Sequence, residues 1–375
     1  MPDPVPVYGT GSAASRQPVF QSMPMKLFLL GGFLGSGKTT AIQKACLQLM
    51  EQQVVAAVIT NDQGMQLVDS AFIKGHLIPG REVVKGCFCC NYSQLEAGLQ
   101  SLRAEVSPEI LFAESVGSCA DIVATVINPL TRFHPDLEIV YSVFADARQL
   151  LQLIRKQRVF DTQVQYIYEK QLEEADLLVI NKKELLSDAE TAEVMRWLAD
   201  KGTAVHQWLF QQSLSDEDID RWLQRLQHFS LVEKRRALEI DYDTYGAGEA
   251  RLAWLDEQLQ IHRADGQAID VAHQLINHLY AGVQKGGYPI GHLKFLMQAG
   301  DWQQKISFTS LQESPLRRTR TLLRLPEVSL LMNARIQTEP EVLDRLWATA
   351  LQQTQAACAC TLTGTGNRAF KPGFP

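Results

Sequence analysis

One short run constrains the fold more than any other part of the chain. Gly31-Gly32-Phe33-Leu34-Gly35-Ser36-Gly37-Lys38-Thr39-Thr40 carries the spacing Gly-x4-Gly-Lys-Thr. It lies between a short apolar strand, Lys26–Leu30, and a breaker-free helical stretch from Lys38 to about Gln53. Glycines in such a loop let backbone N–H groups turn inward around phosphate oxygens, and the positive end of the following helix adds to their pull. Lys38 would reach the terminal phosphates, and the Thr39 hydroxyl is placed to ligate magnesium. Gly32, Gly35, Ser36, Gly37, Lys38, Thr39 and Thr40 are therefore the candidate nucleotide contacts. Lys38 is also a candidate catalytic cation.

Continuous apolar runs recur at Val54–Thr60, Ile110–Ala113, Leu137–Phe144 and Leu177–Ile180. Such runs belong to strands covered on both faces. Helical segments intervene at Ser93–Val106, Ala147–Gln157 and Thr162–Glu174. The alternation predicts an α/β fold of the P-loop NTPase type, a mostly parallel sheet wrapped by helices over residues 25–228. After a helix at Asp216–His228 the pattern changes. Residues 229–248 read as a linker, and 249–375 as a smaller α+β domain. Its strands are expected at Arg251–His262, His292–Gln298, Gln304–Thr309 and Val328–Gln337, with helices at Ala268–Gln284 and Glu339–Thr354.

A chain of 375 residues is long enough for two cores. Residues 1–24, rich in Pro, Gly, Ser and Ala, read as a disordered extension or a cloning remnant without the features of a secretion signal. The net charge of −6 argues against nucleic acid as a partner. No apolar run is long enough to cross a bilayer, so no membrane partner is expected. Seven cysteines without a signal peptide fit a reducing cytoplasm.

Several short motifs at strand ends supply the rest of the nucleotide site. Asn181-Lys182-Lys183-Glu184 stands where a guanine-reading Asn-Lys-x-Asp loop sits in GTPases. Asn181 and Glu184 would bond the purine edge while the Lys182 stem covers the ring, with the longer Glu184 side chain shifting the carboxylate outward. In Glu114-Ser115-Val116-Gly117, Glu114 is a candidate for orienting the magnesium shell or attacking water, and Gly117 permits approach to the γ-phosphate. Asp62, in Asn61-Asp62-Gln63-Gly64, is a further catalytic candidate. A helix cap at Asp62 and a satisfied turn at Glu114 are the structural alternatives.

Gly86-Cys87-Phe88-Cys89-Cys90 is the second dense motif. Cys87 and Cys89 fall on one face of an extended segment, and a turn brings Cys90 to the same ion. Three thiolates suit zinc, cobalt, nickel or iron, and leave a position for water, a fourth residue or a client's ligand. A redox couple of Cys87 with Cys89 or Cys90 is the competing reading. Cys119 could approach this cluster but reads first as a core residue. Cys358-Ala359-Cys360 is either a second acquisition site or an edge strand. Cys46 reads as packing, and His292 as structural.

Strand-Gly-Phe-Leu-Gly-x-Gly-Lys-Thr-Thr, Gly-Cys-x-Cys-Cys, Glu-Ser-x-Gly and Asn-Lys-x-acidic, in this order, resemble the CobW family of P-loop GTPases. These are relatives of the urease and hydrogenase nickel-insertion GTPases. The resemblance covers roughly Lys26 to Leu226. It implies a slow GTPase that uses GTP and Mg, holds zinc (cobalt second) on Cys87, Cys89 and Cys90, and delivers the ion to a client metalloprotein. Nucleotide-dependent homodimers occur among such proteins. Glu184 for Asp, Asn61-Asp62-Gln63-Gly64 for Asn-Glu-Phe-Gly, and the lack of a histidine-rich stretch depart from the pattern. An activator that carries no metal, and a P-loop kinase or phosphotransferase, are the alternatives.

Overall fold

The computed structural model describes residues 25–61, 68, 78–84, 86–200, 207–231, 235–316 and 323–372. The expected N-terminal extension, 1–24, lies outside them, as does Asp62.

Strands β1 (Lys26–Gly31), β2 (Ala56–Asn61), β3 (Gly80–Val83), β4 (Ile110–Glu114), β5 (Glu138–Asp146), β6 (Leu177–Asn181) and β7 (Trp208–Gln211) form one sheet in the order β3-β2-β4-β1-β5-β6-β7. Every pairing is parallel. Alternation along β1 divides its core: Leu27 and Leu29 face one side, Phe28 and Leu30 the other. On the Phe28 side pack the helices Lys38–Glu51 and Asp216–Gln227, with Trp222 wedged against Phe112 and Phe144. The other helices of this unit, including Tyr92–Val106, Ala147–Ile154 and Thr162–Glu173, cover the opposite face. This is the doubly covered α/β sheet that the continuous apolar runs require. The short edge strands β3 and β7, of four residues each, carry too little pattern to be read from sequence; the helix Asp188–Asp200 is a further element beyond the sequence expectations.

A second sheet contains β8 (Leu252–His262), β9 (Ile290–Ala299), β10 (Trp302–Phe308), β11 (Glu327–Gln337) and β12 (Thr361–Gly364), ordered β10-β9-β11-β8-β12 and antiparallel. One face, with Leu255, Leu293, Phe295, Met297 and Met332, is buried under the helices Ala268–Gly286 and Pro340–Ala357. The opposite face is turned toward the first unit: Leu252 and Trp254 join the core of the parallel sheet.

The reading of 229–248 as a linker is corrected. Tyr242–Glu249 is a helix, capped by the Asp241 carboxylate, which accepts from the backbone N–H groups of Asp243 and Thr244. It packs on the helix Thr162–Glu173 so closely that a Cβ on Gly248 would lie 2.6 Å from the Gln163 carbonyl oxygen. Tyr245 and Glu249 are buried. Upstream, the Arg235 guanidinium grips the Asp176 carboxylate with Nε and Nη2, at 2.7 to 3.0 Å. Glycine-rich and charged composition signalled a loop, but partners distant in sequence hold this segment against the α/β unit.

Candidate functional site

The loop after β1 is built from backbone that only glycine accommodates. Gly32, Gly35 and Gly37 have φ of 117°, 75° and 95°. A Cβ on Gly32 would sit 2.1 Å from the Phe144 carbonyl oxygen. The helix that follows starts without any side-chain cap, so its first N–H groups point into the loop. Inside the loop the Ser36 hydroxyl oxygen is buried with no hydrogen-bond partner among the described residues. A buried orphan donor beside an uncapped helix start is what an anionic ligand would satisfy. The Lys38 ammonium, buried, donates to the carbonyls of Gly32 (2.7 Å) and Phe33 (3.4 Å).

The Thr39 hydroxyl lies 2.9 Å from both carboxylate oxygens of Glu114, at the end of β4. A hydroxyl and a carboxylate at one buried point form a hard oxygen donor set, which fits magnesium. Gly117 lets the loop after β4 close on the phosphate loop: a Cβ there would meet the backbone N of Leu34 at 2.9 Å. Thr40 lines the cavity beside Thr39.

Asn181 braces rather than dangles. Its amide donates to the Ser36 carbonyl (2.8 Å), while its Oδ1 accepts from the Ser213 N–H and hydroxyl. Lys182 is left-handed (φ 62°), and its ammonium bridges Asp146 (2.7 Å) and Thr309 (3.0 Å). Lys182 and Leu185 line a cavity of about 300 Å³, whereas Glu184 is exposed between them.

The three sulfurs of the cysteine loop come together, all within 4.8 Å of one another. Cys87 is buried, Cys89 half-buried and Cys90 exposed. Cys87 and Cys89 are joined as a disulfide, and the Cys90 sulfur lies 3.1 Å from that of Cys87. Cys119, expected first as core packing, is buried and also stands 3.6 Å from the Cys89 sulfur. Burial, then the negative charges of Glu249 and Glu174, hold its thiol well above the usual range. The loop that starts at Glu114 thus ends at the sulfur cluster. Of the remaining thiols, Cys46 is packed in the core and pushed up to about 12 by burial, and Cys358 donates to Gln274 next to the edge strand β12.

A residue of β2 joins the two sites. The Asn61 amide donates to the carbonyls of Val83 (3.1 Å) and Gly86 (2.7 Å), and its Oδ1 accepts from the Phe88 N–H (2.9 Å). Asn61 therefore straddles Cys87, and it also lines a small cavity with Lys38, Glu114 and Gly117. Residues 26–209 match the family model for the CobW/HypB/UreG nucleotide-binding domain. The match spans 184 of the 375 residues, so just under half of the chain is similar to this domain. The chain is also similar to the zinc chaperone YeiR of Escherichia coli (strain K12), 27% identical over 179 residues. That match covers 46% of this chain and 51% of YeiR, so the chain spans about half the length of the relative. Solved structures that resemble it include HypB from Helicobacter pylori in complex with nickel (TM-score 0.40, 14% identity, 56% of this chain and 92% of that one). HypB from Archaeoglobus fulgidus gives a TM-score of 0.40 at 17% identity, covering 55% and 90%.

The matched domain ends before the second sheet, which nonetheless contributes to the larger cavity beside the phosphate loop. Lys294, Lys305, Ser307, Thr309 and Glu313 line it together with Arg148 from the first unit. The site motifs of the sequence did not include these side chains. The alternation of β9 (His292, Lys294 against Leu293, Phe295) was visible as a signal, but not the surface its polar face would meet. No described helix is long and apolar enough to cross a membrane.

Proposed function

We propose that this protein is a GTP-dependent metallochaperone: it holds a divalent transition metal, zinc first and cobalt second, on Cys87, Cys89 and Cys90, and passes it to a client metalloprotein as GTP is hydrolysed. The observation that carries the reading is Asn61, whose one side chain lines the phosphate cavity and bonds the backbone on both sides of Cys87. Gly32, Gly35, Ser36, Gly37, Lys38, Thr39 and Thr40 hold the phosphates, and Asn181 with Lys182 positions the base end. Glu184, being exposed, makes guanine reading looser than an Asp would. Magnesium would be held by Thr39 and Glu114, and neutralises charge on the phosphate oxygens when bound. Glu114 orients the attacking water, and Gly117 lets that loop follow the γ-phosphate. Asp62 remains a catalytic candidate outside the described residues.

Magnitudes limit what hydrolysis does. Thiolate-rich zinc sites bind with about 10–16 kcal/mol, whereas coupling between sites is about 1–3 kcal/mol. Loss of the γ-phosphate would loosen the ion about 5- to 150-fold, so the client must compete for it by docking. The decisive experiment measures zinc affinity under reducing conditions with a non-hydrolysable GTP analogue and with GDP. Weaker binding with GDP is expected, and Asn61→Ala should bring the two affinities together. Equal affinities in the wild type would remove the coupling. The Cys87–Cys89 disulfide supports a second reading, a thiol couple whose oxidised form withholds two ligands from the metal. Cytoplasmic location and a nucleotide-dependent homodimer belong to the same proposal.

A further inference from the structure

The nucleotide site has a wall that does not belong to the α/β unit. Alternation in the second sheet is strict near this wall. Leu293, Phe295 and Met297 of β9 enter the helix-covered core, so His292, Lys294 and Leu296 stand on the opposite face. That face is pressed on the phosphate loop: a Cβ on Gly35 would meet the Thr309 methyl at 2.4 Å and the Gly291 carbonyl oxygen at 2.8 Å.

Cavities lie on both sides of the loop, and among the described residues Gly35, Lys38, Glu114 and Lys294 line both of them. The larger extends toward Lys182 and the base end. The smaller extends toward Gly117 and Asn61. Their meeting point is where the phosphate-loop lysine and the loop after β4 converge, which is the terminal-phosphate end of a nucleotide in this orientation. Lys294 reaches that point from across the cleft, on a rigid central strand. We infer that Lys294 is a phosphate-binding and catalytic residue supplied by the second sheet, contacting the γ-phosphate of GTP opposite Lys38. The inference rests on the reading of this cavity as the GTP site.

The same register gives the contact a consequence. Lys294 is paired with Asn333 on β11, and Asn333 Oδ1 accepts the Val68 N–H at 2.7 Å. The Val68 side chain packs on Leu296 and Leu331 of the same face. Val68 lies between Asn61 and the cysteine loop in sequence. A sheet held by the γ-phosphate therefore also holds Val68, and loss of that phosphate loosens this contact. Ammonium contacts to a developing phosphoryl charge act on turnover as well as on affinity.

The test uses the full chain carrying Lys294→Ala and Lys294→Arg, with magnesium and reductant present. Lys294→Ala should leave GDP affinity within about twofold, weaken an imido-GTP analogue about tenfold, and lower kcat about a hundredfold. Lys294→Arg should restore part of the analogue affinity. Equal weakening of both nucleotides, or no change in either, would overturn the inference while leaving the GTP site intact. In wild-type protein, GTP bearing a reactive acyl group on its γ-phosphate should acylate Lys294, mapped by mass spectrometry. Acylation of Lys38 alone would count against it. A wild type that retains neither nucleotide would refute the GTP reading and this inference together.

Discussion

Cys90→Ser isolates metal holding from folding. Cys90 is exposed, so exchanging its sulfur for oxygen leaves the core untouched, whereas Cys87 is buried among apolar side chains. Tetrahedral zinc with Zn–S bonds of about 2.3 Å places ligand sulfurs about 3.8 Å apart. The Cys87 and Cys90 sulfurs are 3.1 Å apart and all three lie within 4.8 Å, so shifts of about 1 Å complete the set once the disulfide is reduced. Dividing about 10–16 kcal/mol over four ligands assigns about 2.5–4 kcal/mol to each sulfur. Cys90→Ser should therefore weaken zinc binding about 70- to 900-fold. Stability in EDTA should change by less than about 0.5 kcal/mol, the range for exposed substitutions. The assay is competition against a chelating dye in a phosphine reductant, paired with a thermal melt. Unchanged zinc affinity would refute the three-sulfur site. A large loss of metal-free stability would show that Cys90 acts through the fold instead.

Other consequences follow from the same geometry. Gly32→Ala places a Cβ against the Phe144 backbone at positive φ and should lower stability by about 1–3 kcal/mol while abolishing retention of labelled GTP; a wild-type melt with intact GTP binding would contradict this. Glu249, buried and pushed up from 4.5 to about 7 chiefly by desolvation, binds its proton more tightly in the folded state than in the unfolded one. Its contribution to stability is complete below pH 4.5 and lost as pH rises through about 7, with an upper bound of about 3 kcal/mol. Denaturant melts of Glu249→Gln between pH 5 and 8 should show a shallower decline than wild type, and identical slopes would exclude the effect. Some decline should remain, because burial also pushes Glu174 up to about 7.

What was legible in the sequence was local in its physics. A phosphate loop needs glycines at positive φ, a lysine at the helix start and a hydroxyl next to it, all within one turn of chain. Continuous apolar strands between helices require a sheet covered on both faces, and the central strands appear where those runs stand. Three cysteines in four positions can hardly avoid one another. The tertiary structure decided what is non-local. It brought Cys119 to 3.6 Å from Cys89, folded the glycine-rich segment before β8 into a helix with Glu249 beneath Ser118, and turned the polar face of β9 onto the phosphate loop. Alternation tells which residues share a face of a strand, but burial of that face depends on another surface folding opposite to it. Lys294 is an ordinary strand lysine until the phosphate loop lies across from it.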